Sequence, residues 1–164
     1  MCGIVYQRVF LRSVMRYQYV YAVFPRAYSK SFLSVMALMV RCILYPGVHL
    51  FVTSGGKEQG ASILQSKVSE ICELIPSFHR EIDWGRGKTQ ESKDRVKYVF
   101  KNGSVLDNLA ARESTRGQRR HGGLMEECVG IDDAILREVI IPVMAIPRRA
   151  KDGTVHEEES VNKS

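Results

Sequence analysis

No acidic residue stands before Glu58. Over the same stretch Arg8, Arg12, Arg16, Arg26, Lys30, Arg41 and Lys57 supply only positive charge, and the chain as a whole carries +6. A basic surface favours phosphate-rich partners through counterion release, so nucleic acid or nucleotide is the expected class of ligand. Cysteine is sparse. Cys2, Cys42, Cys72 and Cys128 form no C-x-x-C pair, which argues against a zinc site or a disulfide framework and suits a reducing cytoplasm. Long apolar runs are missing too. "SFLSVMALMVRCILY" falls short of the roughly 20 residues that span a bilayer and contains Arg41, so it reads as a buried helix. The N-terminus lacks a signal-peptide layout, because Arg8, Arg12 and Arg16 interrupt it. His49, His79, His121 and His156 are scattered without metal-ligand spacing, and the single tryptophan, Trp84, sits in a polar stretch where local packing is the plainest role.

What remains is the balance of a soluble globular domain: 164 residues, 45% hydrophobic and 26% charged. "YQYVYAVF" (17–24) is β-branched and aromatic and stops at Pro25, which predicts a buried strand. A helix is predicted over 30–44, ended by Pro46-Gly47, and a strand over 48–54, ended by Gly55-Gly56. Residues 57–75 place Leu64, Val68, Ile71, Cys72 and Ile75 on one helical face, with Pro76 as the stop. The polar segment 77–94 reads as a surface loop. Asn102-Gly103 between two strand-like runs signals a hairpin. A short strand, "GLMEE" (123–127), follows the basic loop 112–123. Asp132 and Asp133 open a helix reaching Met144. The charged residues 148–164 read as a mobile tail. Strands alternating with helices predict an α/β fold with a mostly parallel sheet.

Residues 24–31, "FPRAYSKS", occupy the eight positions of the phosphate-loop pattern G-x-x-x-x-G-K-[ST] without either glycine. The setting nonetheless suits that chemistry: a predicted strand before the loop and a long apolar helix after it. Backbone N–H groups and the positive dipole end of the helix would face a phosphate. Lys30 would neutralise β- and γ-phosphates, and Ser31 would offer its hydroxyl to Mg2+. Glu126 and Glu127, at a strand end, supply the carboxylate that such a site needs for the metal, with a neighbour to polarise water.

These ordered segments resemble the ATPase domain of the large terminase subunit of tailed double-stranded DNA phages, over roughly residues 10–164. "FPRAYSKS" is similar to that family's deviant Walker A, "LFVTSGGKEQGASIL" to its following strand and helix, and "FKNGS" with "STRGQRRHGGLMEE" to its hairpin, Arg-Gly-x-Arg loop and Walker B strand. The resemblance implies a P-loop NTPase fold of the ASCE type, with ATP and Mg2+ as cofactors. It implies that residues Arg26, Ala27, Tyr28, Ser29, Lys30 and Ser31 cradle the nucleotide and that Arg26 senses the γ-phosphate. Ser31 and Glu126 would hold Mg2+, and Glu127 would be the catalytic carboxylate. Glu126 departs from the aspartate more usual there. The implied activity is ATP hydrolysis coupled to translocation of double-stranded DNA into a capsid, in a bacterial host cytoplasm. The implied partners are a portal protein, a small terminase subunit and further copies in a homo-oligomeric ring. The family's coupling motif and nuclease domain fall beyond Ser164, so residues 1–147 are expected to be a partial ATPase domain from a truncated or split copy. Two alternatives stay open: a non-catalytic nucleic-acid-binding fragment using the basic N-terminus and Arg116, Arg119 and Arg120, and another P-loop motor such as a helicase.

Overall fold

A computed structural model describes residues 5–17, 19–24, 29–54, 56–109, 120–126, 133–144, 148–149 and 155–156. Helix α1 (Val5–Arg16) leads to α2 (Lys30–Leu44), strand β1 (His49–Thr53) and helix α3 (Lys57–Leu74). A short helix α4 (Pro76–Glu81) precedes β2 (Gln90–Glu91), β3 (Val96–Val99), β4 (Val105–Asn108) and β5 (Gly122–Met125). The last helical stretch is α5 (Asp133–Ile135), a π-helical turn (Leu136–Ile140) and α6 (Ile141–Val143), followed by β6 (Arg148–Arg149) and β7 (Val155–His156).

The five-stranded sheet runs β2-β3-β4-β1-β5. β1 is parallel to both β4 and β5, with Phe51 opposite Asp107 on one side and Gly123 on the other. The β2–β3 and β3–β4 pairs are antiparallel. The fold is therefore α/β with a mixed sheet, where the sequence predicted a mostly parallel one. The reason is local: the Asn102-Gly103 hairpin folds β4 back on β3, and β2 extends that meander. Gly103 takes φ +86° in the turn, the left-handed region that glycine enters freely.

Side chains alternate across β1, so the sheet has two dry faces. Leu50 and Val52 join Leu106, Tyr98 and Val96 against α2 and α3, through Val35, Leu38, Met39, Leu64, Val68 and Ile71. Phe51 points the other way, into a smaller cluster with Leu109, Ile140, Val143 and Met144. Helices α2 and α3 and the strand β1 lie where the sequence predicted them. Pro76 ends α3 but also opens α4, since proline fits the first turn of a helix, where no N–H is needed. Helix α4 and β2 thus occupy part of the stretch predicted as loop.

Residues 19–24 are not a strand: they pair with no described strand. Tyr17 instead extends the last turn of α1 by donating its N–H to the Ser13 carbonyl at 2.9 Å. Phe24 packs edge-on against Phe10 of α1 at 5.3 Å and tilted against Tyr6 at 6.1 Å. A β-rich composition forms a strand only where a partner strand offers its ladder, and here the helix takes up the terminal ring. In the predicted tail, β6 and β7 pair antiparallel. No described helix is long and apolar enough to cross a membrane.

Candidate functional site

In sheets with parallel central pairs, ligands sit beyond the carboxyl ends of the strands. Here those ends are Asn108 of β4, Thr53 of β1 and Met125 of β5, the last two side by side in the ladder. One residue on, Glu126 donates its N–H to the Thr53 carbonyl at 2.8 Å. Met125 packs with the Phe51 cluster, so alternation turns Glu126 to the opposite face, where α2 lies. There the Ser31 hydroxyl donates to Glu126 Oε1, joining residues 95 apart in sequence. Glu126 is only 6% exposed and makes no ion pair among the described residues. A buried carboxylate is ordinarily paired with a cation or a metal.

The start of α2 completes the geometry. Its first turn holds no acidic residue. The N–H groups of that turn lack intrahelical acceptors, the first helical bond being Leu33 N–H to the Ser29 carbonyl at 3.0 Å. Lys30 is the first helical residue and is half-buried. Ser29 sits at φ 51°, ψ 30°, the single non-glycine residue with positive φ among those described. It fills the position of the second glycine in the phosphate-loop pattern, so that position adopts a backbone conformation natural to glycine although its residue has changed.

The structure thus brings together Ser31 and Glu126, with Ser29 and Lys30 adjacent. Arg26, Ala27, Tyr28 and Glu127 lie outside the described residues. An oxygen pair of hydroxyl and carboxylate is a donor set that suits Mg2+, which takes few protein ligands and keeps water or phosphate for the rest.

Thr53 was not singled out by sequence reasoning. It is fully buried at the end of β1, and its Oγ1 has no hydrogen-bond partner among the described residues. The signal was available: a polar Thr-Ser pair closes an otherwise apolar strand. Ser54 is also buried, but its hydroxyl donates to the Gly56 carbonyl at 2.9 Å.

Other candidates resolve into structural roles. Arg120 grips Asp107 through Nη2–Oδ2 at 2.7 Å and Nε–Oδ1 at 3.2 Å, with side chains 12% and 13% exposed. His49 Nε2 donates to the same carboxylate at 3.1 Å. His121 Nδ1 accepts the His49 N–H at 2.9 Å. Arg120 is therefore a strut between β4 and the start of β5 rather than a free loop cation. Trp84 stacks on His79 and donates its indole N–H to the His79 carbonyl at 3.1 Å. Burial pushes the Cys42 thiol well above its usual range, which keeps it protonated and unreactive. Burial, reinforced by the bond to Glu91, likewise raises the Tyr98 phenol. Among the described residues no cluster of three or more His, Cys, Asp or Glu could hold a metal ion.

No protein-family model matches the chain, and no curated protein matches it.

Proposed function

We propose that the crevice between the start of α2 and the end of β5 binds Mg-ATP, and that the chain is a P-loop ATPase module of the terminase type. The observation that carries this reading is the contact between Ser31 and the buried Glu126, which makes no ion pair among the described residues. A hydroxyl at the second residue of a helix, touching a carboxylate at the end of a parallel strand, is the pairing that a nucleotide-bound Mg2+ requires. Ser31 and Glu126 would hold the ion, and the ion would neutralise charge on the β- and γ-phosphate oxygens. Lys30 and the free N–H groups of the first turn of α2 would bind those phosphates. Arg26 would approach the γ-phosphate, and Glu127, next in the chain to the metal carboxylate, would accept a proton from the attacking water. In the terminase reading, turnover drives double-stranded DNA into a capsid together with a portal protein, a small subunit and neighbouring copies.

Thermal unfolding with and without Mg-ATP tests the site. Ligand at 100 times its Kd adds about 2.7 kcal/mol to folding stability. For a chain of this size that corresponds to a rise in midpoint of about 5–10 °C. The shift is expected to shrink in Lys30→Ala and to lose its Mg2+ dependence in Glu126→Gln. No shift in the wild type, or an equal shift in Lys30→Ala, rejects the reading. The alternative of a non-catalytic nucleic-acid-binding module predicts that first outcome.

A further inference from the structure

Helix α1 carries Arg8, Arg12 and Arg16, all exposed. Spaced four residues apart, they climb one helix face in steps of about 6 Å. None of the three makes an ion pair among the described residues, and no acidic residue precedes Glu58. The opposite face of α1 is already occupied. Phe10 holds Phe24, the residues Leu11 and Val14 are half-buried, and the helix lies along α2. Directly after the arginine row come Tyr17, Tyr19 and Tyr21, which are 63%, 62% and 79% exposed. Soluble proteins seldom expose three aromatic side chains this far within five residues, and such a group marks a contact surface.

We infer that α1, with Tyr17, Tyr19 and Tyr21 after it, forms a binding surface for single-stranded nucleic acid, with the arginines on the phosphates and the tyrosine rings under the bases. A cationic track beside aromatic platforms is the arrangement by which proteins hold single strands without sequence preference. The charge complementarity is one-sided, since a row of three arginines with no ion pair among the described residues matches a polyanion. An anionic membrane fits less well. A helix lying on a bilayer needs a free apolar face opposite its charges. In α1 the apolar face packs inward, and the exposed Val5 and Val9 are interleaved with the arginines. The surface does not depend on the nucleotide site.

The test is fluorescence anisotropy of a labelled oligothymidylate, about a dozen nucleotides long, titrated with the intact chain in the absence of nucleotide at several salt concentrations. Binding to a single strand in preference to a duplex is expected. Replacing Arg8, Arg12 and Arg16 together by Gln should lower affinity at least tenfold and flatten the salt slope by about 2, from three contacts at about 0.7 each. Tyr17→Ala and Tyr21→Ala should each cost about fivefold or more with the slope unchanged, while the Phe versions keep affinity. If the triple variant does not fold, Arg8→Gln and Arg12→Gln singly should each flatten the slope by about 0.7. Wild-type affinity and slope in the arginine variants, unaltered binding by the tyrosine variants, preference for duplex, or binding only to phosphatidylserine vesicles would each overturn the inference.

Discussion

Ser29 holds a left-handed backbone conformation just before α2. An L-residue there costs about 1–2 kcal/mol relative to the right-handed region, and glycine escapes that cost while losing some chain entropy on folding. Ser29→Gly is therefore expected to raise stability by up to about 1 kcal/mol, measured by urea unfolding; a loss of stability would show that the serine side chain carries an unrecognised contact. A second residue-scale effect joins mid-β4 to the amino ends of β1 and β5. Asp107 takes both arms of Arg120 and the ring of His49. Removing the carboxylate from a nearly buried ion pair costs about 3–5 kcal/mol. Asp107→Ala should cost about 3 kcal/mol, and Asp107→Ala combined with Arg120→Met should recover much of it. Failure of the double variant to recover would mean that the His49 contact dominates. This strut could not be read from the sequence. Asp107 and Arg120 look like ordinary hairpin and loop residues until the β1–β4 and β1–β5 registers bring them together.

At the scale of elements, punctuation decided what was readable. Pro46-Gly47, Gly55-Gly56 and Asn102-Gly103 delimit α2, β1 and the hairpin, and those elements sit where the sequence put them. Residues 17–24 had the right composition for a strand and no partner among the described strands, a property that composition does not contain. The pairing of Ser31 with Glu126 was legible because a Lys-Ser pair opening an apolar helix and a later acidic strand end keep their order, although the strand expected before the loop is not formed. The buried Thr53 hydroxyl, without a partner among the described residues, was not, because burial of a strand-end polar atom depends on its neighbours. Two glycines test the packing of elements. A Cβ on Gly123 of β5 would meet the fully buried Phe51 ring at 2.5 Å. Gly123→Ala should destabilise by about 1–3 kcal/mol. Gly60 of α3 has space, its nearest contact being 3.6 Å from Ser54 Oγ, and alanine is the better helix former by about 1 kcal/mol. Gly60→Ala should thus raise the unfolding midpoint while Gly123→Ala lowers it. Equal effects of the two would contradict the packing described.

For the molecule as a whole, the sheet separates two ends. The nucleotide candidate lies at the carboxyl ends of β1 and β5. The Asp107–Arg120–His49 strut ties β4 and β1 to the residues that enter β5. Helix α2 spans the distance, about 22 Å for its 15 residues, and it is fastened twice. Ser31 ties its first turn to Glu126. At the far end the Asn102 amide donates to the Cys42 and Ile43 carbonyls at 2.8 and 3.0 Å, and the Asn102 Oδ1 accepts the Ser104 N–H at 3.0 Å. A rod pinned at both ends behaves as a lever: it can tilt, but it cannot slide without releasing a pin. Exchange of the Ser31 hydroxyl from carboxylate to metal would loosen the first pin and load the second. Hydrogen–deuterium exchange at the Ser104 amide should then change when Mg-ATP is added, and the change should vanish in Asn102→Ala. An Ser104 amide indifferent to nucleotide in a protein that binds it would mean that the two ends of α2 are mechanically uncoupled.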